Sequence, residues 1–209
     1  MIMTTVAERV REQLRTTPVG GFLHTRELVD SCGSRPAVEV ALHRLHTEQH
    51  LVAVRRGLYF KGKPTRFGLT RPDPLRVGYE IARSAGFEAG VGPAGVSAAR
   101  ALGLTTQVPG WHEIAVPGRA PADAPGVRFT SRSGVGRAGL RPLEVAVLEM
   151  LRGWPRYSER TWPEFAHAVS TLAERGEIDI AAVQRAVRRE RHVAAREKAS
   201  QLAVDVGSP

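Results

Sequence analysis

The residue groups in this sequence that are equipped for chemistry are mostly cationic. Arg55-Arg56-Gly57 separates the β-prone runs LVAV and LYF, and Lys61, Lys63 and Arg66 follow closely. Upstream, Ser34-Arg35-Pro36 opens a helical pattern that also carries Glu39, His43 and Arg44. Guanidinium forks pair with phosphate oxygens or, bidentately, with the edge of a guanine, so these residues suit a polyanion such as double-stranded DNA. Other constellations point less far. His43, His46 and His50 share one side of a helix by spacing, the geometry of a metal site, but no carboxylate or cysteine set accompanies them and a polar helix face is the simpler reading. GVGPAG, with Gly90, Gly92 and Gly95, has the look of a phosphate-cradling loop yet lacks the Gly-Lys-Ser/Thr ending and a strong preceding strand. His112, Glu113 and His167 have no nucleophile or base at a telling distance. No catalytic residue, cofactor or metal is therefore expected, and the chain is read as a non-enzyme.

Cations grip a duplex only when a scaffold presents them together, and the first third of the chain has the pattern for one. Val6, Val10 and Leu14 recur at steps of four, an amphipathic helix that can start after Thr4 or Thr5 and ends at PVGGF. In HTRELVDSCG, Thr25 can cap a short second helix whose Leu28 and Val29 face inward, and Gly33 stops it. Ser34 caps again, Pro36 sits in the first turn, and Val38, Ala41, Leu42 and Leu45 give the third helix a buried face. The runs LVAV and LYF then form a hairpin, with Arg55, Arg56 and Gly57 as a three-residue turn whose glycine takes positive φ. The order predicts a winged helix-turn-helix over residues 1–66, with Thr25, Ser34, Arg35, Glu39, His43, Arg44, Arg55, Arg56, Lys61 and Lys63 as the DNA-binding set. Within it, the third helix enters the major groove and the arginine pair touches phosphate.

TRPDP, with prolines on either side of Asp73, marks a linker, and a mixed α/β domain is expected over residues 74–209. Leu75, Tyr79 and Ala82 trace one helix and Val96, Ala99 and Leu102 another; EIAV and VRFT alternate as strands of a small sheet, joined by the polar loop PGRAPADAPG. Helices resume at Leu143-Val147-Leu151, Phe165-Val169-Leu172 and Ile180-Val183-Val187. Trp154 and Trp162 read as packing anchors. Arg185, Arg188, Arg189 and Arg191 bunch together, but Glu190 and Glu197 interrupt them, and a solvated helix face is favoured over a second DNA contact. The whole is an α+β protein, mostly helical.

Composition narrows the classes further. The chain has 209 residues, 42% of them hydrophobic and 24% charged, as in ordinary globular proteins. Net charge is +9. Residues 1–66 hold 11 Lys+Arg against 6 Asp+Glu, residues 67–140 hold 8 against 5, and residues 141–209 hold 11 against 10, so the excess is greatest where the candidate set lies. Cys32 is the single cysteine, which excludes an internal disulfide. With no apolar run near the roughly 20 residues of a membrane span and no signal-peptide pattern, a cytoplasmic location is expected.

Two blocks carry a family likeness. ALHRLHTEQHLVAVRRGLYF and GPAGVSAARALGLTTQVPGWHEIAVPG resemble the AbiEi-like family, the antitoxins of type IV toxin-antitoxin and abortive-infection (phage defence) systems of bacteria. Arg56, Gly57, Leu58 and Tyr59 stand where that family's wing has its basic-Gly-aliphatic-Tyr run. In the second block Gly92, Pro93, Ser97, Ala98, Leu102, Gly103, Leu104, Thr106, Gln107 and Pro109 match the opening of its other domain. The resemblance runs from about residue 6 to residue 152, and the tail beyond departs from the pattern. It implies a repressor that binds inverted repeats in its own promoter and counteracts an AbiEii-like nucleotidyltransferase toxin without a stable complex, so no toxin-binding residues are carried over. A winged-helix transcriptional regulator with no toxin partner is the alternative. A nucleic-acid enzyme would show an Asp followed by Glu-x-Lys or a histidine-rich cluster, and residues 141–209 display neither cleanly. Monomer or weak homodimer both suit binding to repeats.

Overall fold

The computed structural model describes residues 5–132 and 135–207. About half of the chain is helical and the strands form small sheets, an α+β architecture. It divides into two compact units, Met1–Asp73 and Pro74–Pro209. The second unit begins at the second proline of TRPDP. The first runs on to residue 73 rather than ending at 66, because residues 64–69 fold back as a hairpin.

In the first unit Thr5 starts α1 (Val6–Thr16) with a reciprocal capping box: its hydroxyl accepts from the Glu8 N–H at 3.3 Å, and the Glu8 carboxylate accepts from the Thr5 N–H at 2.6 Å. A short strand β1 (Phe22–His24) leads directly into α2 (Thr25–Cys32), and Gly33 separates it from α3 (Arg35–Thr47). The hairpin β2 (Val52–Arg55) and β3 (Leu58–Phe60) joins β1 in an antiparallel sheet of order β1-β3-β2. Val10, Leu28, Cys32, Val38, Ala41, Leu42 and Leu45 close one apolar core between helices and sheet. β1 carries no signal in the sequence, since a strand of three residues is too short to show a period of two. The same holds for the hairpin β4 (Pro64–Thr65) and β5 (Gly68–Leu69), whose tip exposes Phe67 beneath the Arg66 guanidinium, 4.5 Å from the ring centroid.

The second unit opens with α4 (Pro74–Ser84), then β6 (Gly92–Pro93), α5 (Gly95–Ala101), β7 (His112–Val116) and β8 (Val127–Ser131). EIAV and VRFT are strands as the alternation predicts, but they run parallel, in a sheet of order β6-β7-β8. Parallel strands need a crossover. Here it is the Pro-rich loop rather than a helix, pinned by the Ala120 N–H donating to the Ser131 hydroxyl at 2.8 Å and by the Phe129 N–H donating to the Asp123 carboxylate at 2.9 Å. α6 (Pro142–Gly153) is buried continuously from Glu144 to Leu151, as expected of a central helix surrounded by others. α7 (Trp162–Glu174), α8 (Ile180–Arg188) and α9 (Val193–Gly207) pack around it through Phe165, Val169, Val183, Val187, Ala195 and Leu202. Trp154 and Trp162 do anchor packing, meeting edge to face at 5.4 Å, with Phe165 stacked on Trp154 at 5.1 Å. No helix among the described residues is long and apolar enough to cross a membrane.

Candidate nucleic-acid interface

α3 divides cleanly by solvent exposure. Val38, Ala41, Leu42 and Leu45 are buried, and Arg35, Glu39, Val40, His43, Arg44 and Thr47 cover the opposite face. Pro36 sits at the start, where its missing N–H leaves no hole in the ladder. Ser34 is at the N-cap position but its hydroxyl makes no cap bond and stays on the exposed surface. The Arg35 Nε donates to Glu39 Oε1 at 2.9 Å, a pair one turn apart with both side chains well exposed. Such a pair is worth about 0.3–0.5 kcal/mol, so an anion or a base edge can draw Arg35 away at little cost. Val40, half exposed amid these polar groups, escaped the sequence reading; its only signal is an apolar residue one step outside the buried stripe.

The basic hairpin is tighter than its sequence suggests. Arg55 is the last residue of β2, the turn is Arg56-Gly57 alone, and the extra residue is absorbed by a register shift between Ala53 and Arg55. Gly57 takes φ +79°, the left-handed conformation the turn needs. Both arginines are exposed. The turn is fastened to the start of α2, because the Thr25 N–H donates to the Gly57 carbonyl at 3.0 Å. Thr25 is consequently buried and is the first helical residue; His24 stands at the N-cap, its side chain making no cap bond, in place of the expected Thr25 cap. Thr25 therefore positions the hairpin rather than lying on the exposed surface.

The two lysines leave the set. The Lys61 ammonium donates to the Leu14 carbonyl at 2.7 Å and the Thr17 carbonyl at 2.6 Å, neutralising the end of α1, where unsatisfied carbonyls concentrate partial negative charge. Lys63 is exposed, but it follows β3 at the end remote from the Arg56-Gly57 turn, roughly 13 Å or more along the strand direction from Gly57. The structure thus gathers Arg35, Glu39, His43 and Arg44 on one helix face and Arg55 and Arg56 at one hairpin tip. His43, His46 and His50 are exposed; the His46 Nδ1 lies 3.0 Å from the Leu51 carbonyl, and no group of three or more metal-ligating side chains is assembled among the described residues.

In the second unit, the glycines of GVGPAG serve close packing. A Cβ on Gly90 would lie 2.5 Å from the Arg137 carbonyl oxygen, one on Gly92 2.5 Å from the Pro142 carbonyl oxygen, and one on Gly95 2.5 Å from the Glu113 carboxylate. Gly92→Ala is expected to lose about 1–3 kcal/mol by urea denaturation, since the Pro142 carbonyl oxygen and the Val145 Cβ, each 2.5 Å from the added carbon, belong to the start of α6 and cannot rotate away. Other residues of this second block are structural ties: the Ser97 hydroxyl accepts from the Glu113 N–H at 3.0 Å, and Glu159 accepts from the Thr106 N–H at 2.9 Å and Gln107 Nε2 at 3.0 Å.

A buried ionic cluster went unseen in the sequence. The guanidinium of Arg132 lies bidentate on Glu149, at 2.8 Å from Oε2 at its closest, while Arg137 Nη2 reaches Glu149 at 2.7 Å and Glu190 at 3.2 Å. Arg152 reaches Glu190 at 2.7 Å. Burial pushes the Glu190 carboxyl up, but Arg152 and Arg137 outweigh it and hold the group below its ordinary range. A depressed carboxyl contributes stability that is present above its unfolded value and disappears as pH falls through the folded one. The stability advantage of the native chain over Glu190→Gln is therefore expected to be full above about pH 5 and to shrink steadily below it, as urea midpoints across that range will report.

Residues 9–115 match the profile of DUF6088, described as a family of unknown function. The crystal structure of the RV2827C protein from Mycobacterium tuberculosis is similar to this one over 100% of this chain and 79% of that one, with a TM-score of 0.55 and 20% sequence identity. At that identity the likeness speaks to the fold alone. No curated protein matches the chain.

Proposed function

We propose that this chain, which belongs to the DUF6088 family, is a double-stranded DNA-binding antitoxin of the type IV kind that represses its own operon and counteracts a nucleotidyltransferase-like toxin. On this reading the first unit is a winged helix. α2 and α3 form the helix-turn-helix, the exposed face of α3 enters the major groove, and the Arg56-Gly57 turn is the wing tip. Arg35 is placed to read a guanine edge or hold a phosphate, Glu39 to accept from a cytosine amino group, and Val40 supplies the apolar contact that suits a thymine methyl. Arg44 and His43 extend the same face, and Arg55 and Arg56 meet the backbone.

The observation that carries the DNA-binding half is the tie between elements. β1 lies between α1 and α2 in the chain yet pairs with β3, and the basic turn is hydrogen-bonded to the first residue of α2. That fixes two cationic elements, α3 and the hairpin, on one small rigid body, which independent surface arginines would not be. The antitoxin half is supported by the likeness of residues 41–60 and 92–118 to AbiEi-like antitoxins.

A mobility-shift assay on the DNA immediately upstream of the gene, repeated at rising salt, tests the first half. Saturable binding that outlasts unrelated competitor DNA is expected; equal binding to all sequences, or none in dilute buffer, contradicts it. Arg35→Ala is expected to cost about 1–3 kcal/mol at the specific site and little elsewhere. Co-expression with a neighbouring nucleotidyltransferase-like gene tests the second half. Restored growth is expected, and retained DNA binding without rescue would leave a winged-helix regulator with no toxin partner.

A further inference from the structure

The arginines at the end of α8 do not simply face solvent. Arg185, Arg188 and Arg189 line a cavity of about 420 Å³ whose other wall comes from the segment around Gly136 and Leu140. We propose that this cavity binds a small phosphate-bearing molecule of nucleotide size, a site separate from the DNA-binding surface and independent of that reading.

Charge is the first argument. Arg185 is partly neutralised by Asp179, 3.3 Å away, but the guanidinium groups of Arg188 and Arg189 have no hydrogen-bond or ion-pair partner among the described residues. The C-terminal partial charge of α8 favours cations there only weakly, which accounts for one or two exposed arginines but not for their convergence on a cavity. Nor is the excess cancelled from within. Among the described residues, Arg132, Arg137 and Arg152 form ion pairs with Glu149 and Glu190 alone, and the Nε and Nη1 of Arg137, itself 1% exposed, have no partner. Arg137 directly follows the lining residue Gly136. Cations therefore outnumber acids in this region, an excess of the sort that concentrates anions.

Shape is the second argument. Gly136 brings its backbone against α8: at φ +87°, a Cβ there would lie 3.0 Å from the Ala186 carbonyl oxygen and 3.1 Å from the Arg189 Cβ. The result is a concavity rather than a stripe, within the roughly 300–1,000 Å³ of small-molecule sites. Guanidinium forks match phosphate oxygens bidentately, and Leu140 and Ala182 offer an apolar wall for the uncharged part of the ligand. A duplex backbone would call for cations spread along a line instead.

The test is calorimetric titration of the full chain with pyrophosphate and with ATP at matched ionic strength, alongside thermal melts. Saturable binding of either probe with a raised melting temperature is expected. Arg188→Gln with Arg189→Gln should weaken it by about tenfold or more, Arg188→Lys with Arg189→Lys should weaken it less, and Arg175→Gln, an exposed arginine at the end of α7, should leave it unchanged. Arg175, Arg188 and Arg189 are all exposed, so unaltered circular dichroism is expected of every variant. No saturable binding at matched ionic strength, or binding indifferent to the glutamine pair, overturns the proposal. So does a glutamine pair that loses affinity for duplex DNA in a protein that takes up neither pyrophosphate nor ATP; the arginines would then belong to a nucleic-acid surface.

Discussion

Replacing Arg55 and Arg56 together with alanine is expected to weaken binding to every duplex, specific or not, and to reduce the slope of log affinity against log salt by about 2. Each cation that neutralises a phosphate releases close to one counterion, and the arginines occupy a turn that touches no base-reading element of its own. The effect should be uniform across sequences, unlike that of Arg35→Ala, which should alter preference at one position. Both side chains are exposed, so the melting temperature is expected to stay where it is and loss of binding will not be confused with unfolding. Fluorescence anisotropy on an upstream fragment and a scrambled one, at four or so salt concentrations, separates these outcomes. An unchanged slope would remove the hairpin from the interface while leaving α3 in question.

Glu149→Ala is expected to be the most damaging single substitution in the second unit, by about 3–5 kcal/mol in urea denaturation. Glu149 is buried on α6 and takes Arg132 and the almost wholly buried Arg137 at once. Removing it leaves a desolvated guanidinium facing only Glu190, which already serves Arg152. Most of the loss would be the cost of an unpaired buried charge rather than the worth of the pair. By contrast, the Arg15–Glu12 pair is exposed, and deleting the acid should leave the denaturation midpoint where it is. A Glu149→Ala chain as stable as the native one would mean that water or an anion reaches Arg137, whose Nε and Nη1 already lack partners.

What could be read along the chain was whatever repeats over a turn or two. The buried stripes of α1, α3, α7 and α8, a threonine at the start of α1, the alternation of EIAV and VRFT and the positive φ of Gly57 all follow from local sterics and from which side chains avoid water. Those constraints act between residues a few positions apart, so one sequence suffices to expose them. The strands β1, β4, β5 and β6 are two or three residues long and exist because a partner strand lies beside them; nothing within such a span distinguishes them from loop.

The same distance in sequence separates the candidate residues from their fates. Lys61 looked like one more basic residue, until folding set it on carbonyls 44 and 47 positions away, where it serves as a helix cap. Thr25 became a buried fastening for the hairpin because Gly57 arrives opposite it. The glycines of GVGPAG, read alone, suggest a phosphate loop, and only the approach of α6 and of the Arg137 carbonyl explains them. The Arg137–Glu190 contact spans 53 positions, and the parallel course of β7 and β8 depends on how a proline-rich loop is tied down. Residue types and spacing were enough for α1 to α8 and the basic hairpin, whereas α9 carries too weak an apolar stripe to be read. Which cations stay on the surface and which are consumed by the fold was settled by long-range pairing, because burial and electrostatics depend on neighbours in space, not neighbours in the chain.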